Sequence, residues 1–156
     1  MDLRLLLLFA HLTLIFTGVV VAWGPHAMVT LAYRNGQVGP VRATSALAVK
    51  SSRLIPVLYM SGGLFGLLTA IAFGKDLLAP WLLIAYVLFA VATFTGVRFT
   101  GPTMVRVSEL AAAAPDGPIP ASIREVFGSG RAVAITAFDV ALLFIFVFDM
   151  VVKPFS

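Results

Sequence analysis

This sequence predicts an all-α fold, a four-helix transmembrane bundle built from two tandem helical hairpins, and three observations carry that expectation. Hydrophobic residues make up 60% of the chain and charged ones 12%, with a mean hydropathy of +1.03. A soluble domain of this size could not bury that much apolar surface, so lipid must cover the excess. Four stretches, roughly Leu3 to Pro25, Leu54 to Gly74, Leu77 to Val97 and Ala132 to Val152, match the about 20 residues that a helix needs to cross a bilayer core of about 30 Å. The third observation is a repeat. Phe16-Thr17-Gly18-Val19 and Phe94-Thr95-Gly96-Val97 lie 78 positions apart, as do Ser51-Ser52-Arg53 and Ser129-Gly130-Arg131, and 78 is half of the 156 residues. Two copies of one hairpin, about 1–78 and 79–156, are therefore expected within a single transmembrane domain.

The first apolar run is longer than a signal-peptide core and is read as a retained helix. At about 100° per residue His11, Ile15, Gly18, Ala22 and His26 share one of its faces. Gly18 and Ala22 form a small-x-x-x-small pair that lets a neighbouring backbone approach. Pro25 cannot donate to the carbonyl of Val21, so the helix is expected to kink or thin before His26, near the water interface. From Arg34 to Arg53 the sequence turns polar, with Asn35-Gly36 and Gly39-Pro40, and reads as a loop followed by a basic helix start. The second span presents Gly62, Gly63, Gly66 and Ala70 for close packing against the first. Gly74-Lys75-Asp76 turns the chain back, and Trp81 marks re-entry at the headgroup level.

Arg98 to Gly130 reads as the longest non-spanning connection. Pro102 opens a short helix that Pro115-Asp116-Gly117-Pro118 ends. Ser122 and Glu125 have capping-box spacing for a second short helix, which Gly128 stops. The loops after the first and third spans hold four cations each (Arg34, Arg42, Lys50, Arg53; Arg98, Arg106, Arg124, Arg131), against Arg4, Lys75 and Lys153 on the other side. By the positive-inside rule both termini face away from the cytoplasm of a bacterial inner membrane. That asymmetry also accounts for the net charge of +4, and no nucleic-acid motif accompanies it.

No cysteine is present, which excludes disulfides, iron–sulfur clusters and thiolate metal sites. No phosphate loop, Ser-His-Asp set or zinc signature is present, so catalytic residues stay unassigned. His11 and His26 are the only histidines, and both lie on the first span. At 1.5 Å per residue they are about 22 Å apart and cannot clamp one iron within a monomer. An inward His11 has two readings: a hydrogen bond to a neighbouring carbonyl, or ligation of a metal or haem iron, with Tyr59, Met60, Met150, water or a second protomer opposite. Asp139, inside the last span, is costly unless paired, and Arg53 and Arg131 are its expected partners. Asp149 and Lys153, at i and i+4, are expected to pair at the outer end.

Ala10-His11-Leu12 followed by Gly18, and a last span closing on Met150 to Pro154, resemble a family of small bacterial four-helix integral membrane proteins of unknown function. That family is similar, distantly, to CopD copper-resistance proteins and to HemJ-type protoporphyrinogen oxidases. The resemblance implies haem b, with His11 as its ligand. The lysine that HemJ-type proteins carry within a later helix has no counterpart in the third span here. Three function classes stay open: a haem- or metal-binding redox protein, a non-catalytic accessory subunit or assembly factor of a larger membrane complex, and a small transporter or channel. Expected partners are membrane lipids, and a second copy of the chain or a larger membrane complex.

Overall fold

Asp2 caps the first helix, its carboxylate accepting from the amide of Arg4 at 3.0 Å, and α1 then runs from Leu3 to Arg34. The structure, a computed structural model, describes residues 2–154. Pro25 does not end α1. Proline removes one hydrogen bond, and the turns on either side carry the helix past it. Asn35 and Gly36 close it, and Gly36 has φ +74°, a left-handed conformation that suits glycine.

The segment expected as a loop is instead mostly helix: α2 spans Val38–Ser52. Pro40 falls in its first turn, where amides lack intrahelical partners and a missing N–H costs little. The buried face of α2, Val38, Val41, Ser45 and Ala48, follows the 3–4 spacing of an amphipathic helix. Then come α3 (Ile55–Ala72) and α4 (Pro80–Thr95), a π-helical turn over Gly96–Thr100, and α5 (Gly101–Ala113). From Pro80 to Ala113 the helix is one rod of 34 residues, so the helix itself continues past Val97. At 1.5 Å per residue this rod and the 32-residue α1 are each about 50 Å long, well beyond a 30 Å core.

The connection after α5 contains α6 (Ala121–Phe127), and α7 runs from Gly130 to Val152. The capping box does not form. Pro120 is the N-cap of α6 and makes no side-chain cap, because the helix starts one residue ahead of Ser122. Ser129 caps α7 instead, accepting from the amide of Ala132 at 3.1 Å.

The chain is all-helical among the described residues, with four helical segments long and apolar enough to cross a membrane. Backbones approach closely within two pairs, α1 with α3 and α4 with α7. The halves are joined at one end by α2 packing on α5. There Ala32, Val41, Val107, Ala111, Ile119 and Ile123 form a buried cluster. The amide of Val38 bonds to Gly117 O at 2.9 Å, and that of Ile119 to Gly36 O at 3.0 Å. This layer, hereafter the basic end, is packed as a small soluble core. The spans below it leave large apolar side chains such as Phe16, Leu64 and Phe144 exposed, which is the inversion expected where lipid is the solvent.

Candidate functional site

The seam between α1 and α3 is made by absent side chains. A Cβ on Gly62 would lie 2.7 Å from Ile15 Cδ1, one on Gly18 3.0 Å from the Tyr59 ring, and one on Gly66 2.8 Å from His11 Nδ1. Glycines let the backbones close until dispersion contacts form without a hydrophobic driving force. Closure brings His11 Nδ1 to 2.7 Å from Gly62 O. A carbonyl can only accept, so Nδ1 carries a hydrogen, and in the neutral ring the lone pair is then on Nε2. The carbonyl bond foreseen for an inward histidine is therefore present, and it fixes the tautomer.

The residues considered as companions of His11 do not gather around it. Tyr59 lies against Gly18, about two turns along the seam. Met60 is 63% exposed on the outward face of α3. Met150 packs on the cluster of Ala70, Trp81 and Leu82, of which Ala70 lies one turn along α3 from Gly66. His26 sits at the basic end between Trp23 and Phe127, with ring centroids 6.3 and 5.9 Å away. No group of three or more His, Asp or Glu side chains with metal-binding geometry occurs among the described residues.

Asp139 is half-buried and takes a partner that the sequence did not suggest. Its Oδ2 accepts from Thr100 Oγ1 at 2.8 Å, and its buried Oδ1 has no hydrogen-bond partner. Neither expected arginine reaches it. Arg53 caps the exposed end of α2. Arg131 lies about 12 Å along α7 at 1.5 Å per residue, and its guanidinium stacks 5.3 Å from the centroid of Phe99. A cation so placed keeps its head at the wet interface while its stem covers apolar surface. Thr100 reaches Asp139 because it belongs to the π turn, a feature that hydrophobic periodicity does not reveal.

The Asp149–Lys153 pair is also absent. Lys153 has φ +48° at the C-cap of α7, so the helical i,i+4 geometry stops short of it. Its ammonium stands 5.3 Å from the Trp81 ring centroid. Asp149, 2% exposed, has neither carboxyl oxygen bonded.

In the sequence Arg42 reads as one cation of a basic loop. Its Nε donates to Ala111 O at 2.8 Å, Nη2 to Ala114 O at 2.7 Å and Nη1 to Asp116 at 2.8 Å. It thereby satisfies carbonyls left open at the end of α5. The Pro-Asp-Gly-Pro helix stop was the signal that such carbonyls would need a donor.

These features define an α-helical, multi-pass membrane protein with isolated intramembrane polar groups. Comparisons with protein-family models, with curated proteins and with solved structures find no match.

Proposed function

We propose that this chain is a multi-pass protein of a bacterial inner membrane that holds haem b, or a metal ion, through Nε2 of His11. The observation that carries the reading is the 2.7 Å bond from Nδ1 to Gly62 O. Metal-ligating histidines characteristically donate their other ring N–H to a carbonyl or carboxylate, which orients the ring and raises the basicity of the free nitrogen. The residues present fit such a group on one side only. Tyr59 lies at Gly18, Met60 faces outward and Met150 packs on the Ala70 cluster, so the opposite position is assigned to water or to a second copy of the chain. A bound haem would supply one-electron redox chemistry within the membrane. The CopD- and HemJ-like pattern around His11 agrees with this assignment.

The absorption spectrum of protein purified in detergent tests it. A Soret band is expected, lost in His11→Ala and kept in His26→Ala. A colourless, metal-free preparation removes the reading and leaves the accessory-subunit role, in which His11→Ala weakens assembly without touching chemistry.

The order of elements supports a tandem repeat, with this site inside the first copy: a 32-residue α1, then α2 and α3, beside a 34-residue rod, then α6 and α7. Gly18 would match Gly96, and Arg53 would match Arg131. Cation counts favour an orientation with both termini on the non-cytoplasmic face. A reporter active only in the cytoplasm, fused to the C-terminus, should stay silent, and activity there reverses the orientation.

A further inference from the structure

Two adjoining cavities at the basic end, unrelated to His11, have complementary linings. The first, of about 300 Å³, is lined by Arg98, Phe99, Thr103, Glu125, Ser129 and Arg131, among others. The second, of about 370 Å³, shares Phe99, Arg131 and Ile135 with it and adds Ala134 and Phe138. Because α4 runs towards the basic end and α7 away from it, Thr95 and Phe138, which line the second cavity, lie deeper in the membrane than the two arginines. A polar, cationic depression thus adjoins an apolar one beneath it.

Phe99 organises the pair. Arg98 and Arg131, from different helices, stand 5.7 and 5.3 Å from its ring centroid. Neither makes an ion pair among the described residues, whose only two are Arg42–Asp116 and Arg106–Glu109. The π turn carries Arg98 and Phe99 to this position while Thr100 bonds Asp139. The turn closes with the amide of Gly101 bonded to Gly96 O, and glycine is favoured at 101, where a Cβ would lie 3.0 Å from that oxygen.

We propose that these cavities bind one anionic phospholipid, its phosphate held between Arg98 and Arg131 and one acyl chain running past Phe99 and Ile135 towards Phe138. Planar guanidinium groups match phosphate oxygens in pairs, and basic pockets between spanning helices suit anionic headgroups. Thr103 adds a hydroxyl donor. Glu125, the one carboxylate in the lining, suits a headgroup bearing hydroxyls, which can donate to it. The apolar chamber selects a lipid over a soluble phosphate ester, because only a lipid fills both spaces.

Native mass spectrometry of delipidated, full-length protein, titrated with phosphatidylglycerol or phosphatidylcholine, tests this. The wild type should retain phosphatidylglycerol preferentially. The Arg98→Gln/Arg131→Gln double variant should lose that preference by on the order of tenfold or more, with unchanged helix content. Ile135→Trp, which adds bulk where the two linings meet, should weaken phosphatidylglycerol retention while inorganic phosphate remains able to compete at the arginines. Equal retention of the two lipids by the wild type, or of phosphatidylglycerol by wild type and double variant, overturns the site. If inorganic phosphate displaces the lipid completely and Ile135→Trp has no effect, the chamber serves a soluble phosphate and the lipid assignment falls.

Discussion

Gly62→Val should destabilise the protein by about 1–3 kcal/mol, the usual cost of forcing extra carbon into a filled interface. The first added carbon already meets Ile15 Cδ1 at 2.7 Å and Cγ1 at 3.0 Å, with the backbone nitrogen of Ile15 at 3.4 Å. The end of the Ile15 side chain can rotate away, so Gly62→Ala should cost less. The γ carbons of valine head for the α1 backbone, which can yield only by separating the helices and stretching the His11–Gly62 bond. Gly24 is the control, since a Cβ there meets nothing within 4 Å. Gly24→Ala should be close to neutral, because the entropic gain of replacing a helical glycine is offset by the crowding of the new Cβ against the Pro25 ring. Unfolding in detergent or in a mixed denaturing micelle, followed by circular dichroism, separates the two. Equal midpoints for Gly62→Val and wild type would show that the seam is looser than the glycines indicate.

Removing the Arg42 side chain should cost about 2–4 kcal/mol. A single hydrogen bond from a charged group contributes about 1.5–3 kcal/mol when buried, and Arg42 makes two to carbonyls from a side chain that is 36% exposed. The ion pair is the minor part. The Asp116 side chain is 86% exposed, where screening and side-chain entropy leave about 0–1 kcal/mol. Asp116→Asn should therefore be close to neutral, while Arg42→Ala loosens α2 from α5 and with it the joint between the halves. Arg42→Lys should recover only part, because an ammonium on a flexible stem cannot reach three acceptors set out for a fork. Limited proteolysis between Ala113 and Ala121 offers a local readout beside global unfolding. Should Asp116→Asn prove as damaging as Arg42→Ala, the carbonyl clamp is not what holds this end.

The solvent and the number of spans were legible from composition, because apolar surface in this amount admits one environment and bilayer thickness sets one helix length. The inward face of α1 was legible as well. His11, Ile15 and Gly18 face α3 because 3.6-residue geometry leaves little choice once glycines mark the side of closest approach. Where helices end was less legible. Pro25, Arg34 and Arg98 read as boundaries, yet α1 passes the first and the Pro80–Ala113 rod passes the last. Local breakers report what one residue costs, whereas the packing of α2 on α5 offsets that cost from a distance.

Partner choice belonged to tertiary structure entirely. Charge counting assigned Asp139 to an arginine, but the π turn puts Thr100 at 2.8 Å from its carboxylate and turns Arg98 and Arg131 onto Phe99. A sequence states which residues carry charge and on which helical face they fall. Which neighbour a side chain reaches depends on the rotation and spacing of whole helices, and those are set by glycine contacts and one irregular turn that leave no periodic trace.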